Sequence, residues 1–325
     1  MDRGDRTERS ALFPVKHPPG QFVEVDGQRL HLFVRGTGPT VVLCGGLGSN
    51  WFDWNDTVDI LSAHHHVVVL DRPGFGLSDP LPAGVTPTVR GEAERILGVL
   101  EALGVTGPAV VVGHSIAGFY AEAVARLYPS RIRGVLLLDS SAESDPRRII
   151  PAAIRVEAAH AIAAVLSRTG LQKLLGPRVR RVLNQATPPD GIPQPTFDWV
   201  DDIYRRPTYL AAALTEDVVY PDLAVELNRI RKRFRLDVPV IVAAAHTGRP
   251  SPWGKRWIRT QRKLAAYLQA DFTVLIPAHH HAMIDNPPRS QPSSPNWCEP
   301  LAATHVTCVT EPAAQDPSRS SAMAR

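Results

Sequence analysis

Cysteine is scarce in this chain. Its three thiols, Cys44, Cys298 and Cys308, are a small and odd number for 325 residues, so no disulfide framework is expected and a reducing compartment fits. Charge of one dominant sign is missing too: 36 Lys and Arg stand against 32 Asp and Glu, a formal net charge of +4, which offers no broad field to a polyanion. Aromatic residues make up 6% of the chain and are not set among the basic residues, which removes the stacking surface that single-stranded nucleic acid needs. The densest basic run, Arg229-Ile230-Arg231-Lys232-Arg233-Phe234-Arg235, reads as a solvated helix face leading into a strand. No apolar run reaches the roughly 20 residues of a membrane-spanning helix, and the N-terminus has mixed charges without an apolar signal core. These absences predict a cytoplasmic protein without membrane insertion and without a nucleic-acid partner. No internal repeat is visible.

What the chain has is apolar material, 44% of its residues, enough for one large α/β domain with an inserted lid. After a polar, proline-bearing arm over residues 1–20, residues 22–25 and 29–34 flank Asp26-Gly27 as a hairpin. Apolar strands starting near Val41, Val67, Ala109 and Gly134 then alternate with helical stretches near 57–63, 88–103 and after Ser115. This is the pattern of a mostly parallel sheet covered on both faces, a fold that places its chemistry at the carboxyl ends of strands. Over 145–235 helical patterns replace the strands; residues 238–245 restore the sheet, and a helix over 257–270 and a strand at Phe272 follow. The expected organisation is a core over 21–144 and 236–287, a helical cap over 145–235, and a tail over 288–325. That tail has too little apolar material to offset its ordering entropy and is expected to be disordered.

The richest motif is Gly113-His114-Ser115-Ile116-Ala117-Gly118. It follows the apolar run Pro108-Ala109-Val110-Val111-Val112 and precedes a helical pattern, so a serine among small residues stands at a strand-turn-helix junction. That is the sequence form of a nucleophile elbow, with Ala117 where a second glycine is expected and Gly118 one position later. Three other segments agree: the strand and glycine-rich turn Val41-Val42-Leu43-Cys44-Gly45-Gly46-Leu47-Gly48, the loop Asp71-Arg72-Pro73-Gly74-Phe75-Gly76-Leu77-Ser78-Asp79, and the late His279-His280-His281 with Asp285-Asn286-Pro287. Together they resemble the α/β-hydrolase superfamily, in particular its cap-bearing esterase, C-C hydrolase and aminopeptidase-like members, over about residues 21–287.

The resemblance implies a cofactor-free, metal-free serine hydrolase that acts on an acyl bond of a small molecule. Ser115 is the nucleophile and needs a base that is itself oriented. His280, five residues before Asp285 and seven before Pro287, matches the family's base, with His279 and His281 as alternatives. Adjacent histidines point in divergent directions, which disfavours a metal site. Oxyanion donors are, by resemblance, the backbone N–H groups of Gly46 and Ile116. His114 is expected to pack or hydrogen-bond beneath the elbow. Cys44 stands where the family has histidine and is either a reactive thiol or a small packing residue; Trp51 and Trp54 either wall an acyl pocket or pack the loop. The acid is the open position. The strand over 240–245 runs into His246-Thr247-Gly248-Arg249 with no carboxylate, whereas a minority of the family carries the acid one strand earlier, where this chain has Asp139; Glu143 and Asp145 are the fallbacks, and Asp139 also reads as a turn cap. A different class of function, a degenerate fold that binds a small hydrophobic ligand without catalysis, fits the missing acid, Cys44 and Ala117.

Overall fold

The computed structural model describes residues 18–143, 146, 149–174, 176 and 194–285. The expected tail and almost all of the expected N-terminal arm lie outside the described residues, as does Asp145.

Strands β1 (Gln21–Val25) and β2 (Gln28–Arg35) form the hairpin around Asp26 and Gly27. Then come β3 (Thr40–Cys44), a 3₁₀ turn (Trp51–Trp54), α1 (Asn55–Leu61), β4 (His66–Leu70), α2 (Val89–Ala102), β5 (Ala109–His114), α3 (Ala117–Leu127) and β6 (Ile132–Leu138). Helices α4 (Ala152–Arg168), α5 (Gln194–Tyr204) and α6 (Pro207–Arg233) form the insertion, before β7 (Val240–Ala245), α7 (Pro252–Leu268), β8 (Asp271–Leu275) and the short α8 (Ala282–Asp285). The eight strands lie in the order β1-β2-β4-β3-β5-β6-β7-β8. Pairing is antiparallel at β1–β2 and β2–β4 and parallel from β4 to β8.

Strand periodicity divides the core between the two faces of the sheet. Val42, Cys44, Val68, Val111, Val135 and Leu137 pack with α2, α3 and α7 on one side, while Val41, Leu43, Val67, Val112, Leu136 and Leu138 pack with α1, α5 and α8 on the other. Strands buried on both faces cannot alternate polar and apolar residues, which explains their unbroken Val and Leu runs. Helix α6 serves two environments: its later residues Val219, Leu223, Leu227 and Ile230 join the first core cluster, and its first half lies over the carboxyl ends of the strands. Strand β3 has β4 on one side and β5 on the other. The chain therefore reverses its direction of sheet growth at β3, the place where open α/β sheets leave a crevice beyond the strand ends. Cys44 and Gly113 are register partners across that crevice.

Candidate active site

Ser115 directly follows β5 in a left-handed conformation, φ 54°, a strained geometry for a residue with a side chain. The surroundings hold it there: its N–H donates to Leu138 O at 3.1 Å, and its carbonyl accepts from Gly118 N and Ser141 N, each at 3.0 Å. The shifted second glycine also has a cause. A Cβ on Gly118 would lie 1.9 Å from Ser140 Oγ, so glycine is needed where the β6 loop crosses α3, whereas Ala117 is accommodated fully buried.

Ser115 Oγ lies 3.0 Å from His280 Nε2, and His280 Nδ1 lies 2.6 Å from Asp139 Oδ2. An ionised carboxylate can only accept, so the imidazole places its proton on Nδ1 and turns a bare Nε2 toward the serine hydroxyl. Asp139 is buried and His280 is part-open, with side-chain exposures of 2% and 42%. Of the alternatives, His279 is exposed and His281 is buried against His114, ring centroids 5.1 Å apart. Glu143 accepts from Ala142 N at 3.1 Å and from the Tyr220 hydroxyl, engaged with groups other than the imidazole.

Asp139 too has a left-handed backbone, φ 42°. Its second oxygen accepts from Ala245 N at 2.8 Å and from Trp257 Nε1 at 2.6 Å. The strand that lacks a carboxylate, β7, thus contributes a backbone donor to the carboxylate of its neighbour. Trp257 on α7 escaped the sequence reading, because an indole in an amphipathic helix looks like a packing residue; nothing in its sequence neighbourhood signals an N–H aimed at an acid five elements earlier.

The Ile116 N–H sits at the amino end of α3, where helix N–H groups face outward. Gly46 lies against the serine: a Cβ there would come within 2.7 Å of Ser115 Cβ. Its N–H meets His114 Nδ1 at 3.3 Å, and His114 Nε2 donates to His280 O at 2.8 Å. His114 therefore bridges the glycine-rich loop and the histidine loop as a neutral ring. Burial, followed by the nearby His280 and His281, holds its pKa well below the ordinary histidine value. Cys44 is buried and its thiol is pushed up to about 12, chiefly by burial, so it packs as a protonated thiol. Trp51 and Trp54 are buried in the core, which settles them as loop packing.

Above Ser115 and His280 a cavity of about 580 Å³ is bounded by Leu47, Leu166, Leu171, Tyr204, Leu210 and Leu214. Asp217 lines it as well, and no Lys or Arg does among the described residues.

Residues 41–290 match the profile of the Alpha/beta hydrolase family. The chain belongs to that family. A curated relative, bifunctional epoxide hydrolase 2 of Mus musculus, is 32% identical over 115 residues, 35% of this chain and 21% of that protein; this α/β hydrolase therefore spans about a fifth of that relative's length. Among solved structures, wild-type Cfl2 from Burkholderia cenocepacia superposes with a TM-score of 0.64 at 21% identity, covering 82% of this chain and 91% of the other. An enol-lactonase from Burkholderia xenovorans does so with a TM-score of 0.55 at 24% identity, covering 81% and 94%. These structural likenesses carry the fold. Among the described residues, no helix of this hydrolase is long and apolar enough to cross a membrane.

Proposed function

We propose that this α/β hydrolase is a serine hydrolase that cleaves an ester, amide or related acyl bond of a small, largely apolar molecule. The observation that carries the reading is the continuous chain from Ser115 Oγ through His280 to Asp139, at 3.0 and 2.6 Å. Ser115 attacks the carbonyl carbon while its proton passes to His280 Nε2, and Asp139 orients and stabilises the imidazolium. The Ile116 N–H faces the oxygen that becomes negative, a donor worth about 3 kcal/mol in the transition state; Gly46, the other donor expected from the resemblance, instead has its N–H on His114 Nδ1 at 3.3 Å. Collapse expels the leaving group with the histidine's proton, and water repeats the sequence on the acyl-enzyme.

Serine at the elbow also favours an acyl substrate over an epoxide. Attack on a saturated carbon by a serine hydroxyl gives an ether, which offers water no carbonyl to attack, whereas attack on an acyl carbon gives an ester that water can cleave. The apolar cavity, with one carboxylate and no described cation, suits an uncharged acyl group.

A fluorophosphonate probe should label the folded protein stoichiometrically at Ser115. Ser115→Ala should abolish labelling and lower esterase turnover by at least about a thousandfold, on the scale of triad serines. Unlabelled wild-type protein would instead favour non-catalytic binding of a hydrophobic ligand.

A further inference from the structure

Arg72 is buried between the glycine-rich loop and the cap, and every polar edge of its guanidinium is used. Nε donates to Gly45 O at 3.0 Å and Nη2 to Gly46 O at 2.8 Å. Its other edge faces Glu216 on α6: Nη2 meets Oε2 at 2.9 Å and Nη1 meets Oε1. Tyr120 OH donates to the same carboxylate at 2.7 Å. Side-chain exposures of 4% for Arg72 and 2% for Glu216 mark a fully desolvated pair. Burial by itself would lower the Arg72 pKa, but Glu216, with help from Tyr120 and Glu92, more than offsets it, so the guanidinium stays charged.

In a trans peptide the C=O and the following N–H point opposite ways. With Gly45 O and Gly46 O both drawn onto Arg72, the Gly46 and Leu47 N–H groups must face away from it; the Gly46 N–H meets His114 Nδ1 at 3.3 Å and Leu47 lines the cavity. The Leu47 N–H is thereby left on the cavity side, as the loop's donor to a developing oxyanion. We propose that Arg72 is a positioning residue that sets the oxyanion loop, and that Glu216 makes the seating of cap helix α6 a condition for that setting. The catalytic part of this inference rests on the hydrolase reading above. A lysine cannot replace Arg72, because one ammonium lacks the planar fork that serves two carbonyls and a bidentate carboxylate at once.

The test separates positioning from plain stability. Arg72→Met/Glu216→Leu removes both charges and keeps the volume apolar, a replacement that buried ion pairs often tolerate, whereas Glu216→Gln leaves Arg72 underpaired. Thermal melts report folding. For both variants we expect kcat on a neutral ester to fall about tenfold to a hundredfold with KM little changed. The preference for an oxygen ester over its thionoester, whose sulfur fits an oxyanion site poorly, should shrink, and amide hydrogen exchange over residues 45–47 should quicken. A folded double variant with wild-type kcat and wild-type exchange overturns the proposal. If exchange quickens but the parent shows no Ser115-dependent turnover, the loop tether stands and the hydrolase reading, with the catalytic role of Arg72, falls.

Discussion

Trp257 has no counterpart among the residues that the motifs single out, yet its indole N–H lies 2.6 Å from Asp139 Oδ1. A hydrogen bond to a charged group contributes about 1.5–3 kcal/mol. Trp257→Phe keeps the packing and removes the donor, so kcat should fall about tenfold, the equivalent of roughly 1.4 kcal/mol, with KM nearly unchanged. Steady-state kinetics on an ester reads both constants. Ser115 and His280 were legible because a motif and a spacing mark them. Asp139 was legible only as one of three acids, since a carboxylate after a strand also reads as a turn cap, and what distinguishes it is the β6–β7 neighbourhood that brings Ala245 N to it. Arg231 shows the same limit. In the sequence it belongs to a solvated charge run; in the fold its side chain is 5% exposed and pairs with Glu122 at 2.7 Å, because α6 turns that position toward α3.

At the scale of elements, the all-apolar strands gave the sheet and its two covered faces directly, and the break in β/α alternation gave the helical insertion. What patterning could not give is how α6 divides. Tyr209, Leu210, Ala213, Leu214 and Asp217 line the cavity, while Val219, Leu223, Leu227 and Ile230 enter the core, and Pro221 stands inside the helix just past the changeover. An apolar residue looks the same in either place. The cavity side has a consequence for substrates: a carboxylate brought into a space bordered by Asp217 and by no described cation meets repulsion with little to offset it. An ester with an uncharged acyl chain should therefore exceed its ω-carboxylate isostere in kcat/KM by about tenfold or more. Asp217→Asn should narrow that gap by raising the rate on the acid isostere alone.

Across the whole molecule, the bridge made by His114 ties folding to pH. Its folded-state pKa lies well below the ordinary value of 6.5, so below pH 6.5 the unfolded chain takes up a proton that the native ring refuses. Stability is therefore fully present above about pH 6.5 and declines as pH falls from there toward the depressed native value. The slope from this one residue approaches about 1.4 kcal/mol per pH unit. Urea unfolding between pH 7 and pH 5 should show that slope reduced in His114→Asn relative to the parent, even if the variant is less stable at pH 7.

With Asp139, at the end of β6, as the proposed acid, less is asked of the rest of the sheet. Serine and carboxylate ride on strands in direct register, His114 opposite Leu138, so motions of the outer strands barely change their separation. The end of β7 gives two backbone groups to this arrangement: the N–H of Ala245, which Asp139 accepts, and the carbonyl of His246, which accepts from Ala278 N at 2.9 Å in the loop leading to His280. Between His246 and Ser251, which caps α7 by accepting from Gly254 N at 2.9 Å, residues 247–250 are exposed and carry none of the proposed triad, so new sequence can be tried there with little risk to the reaction.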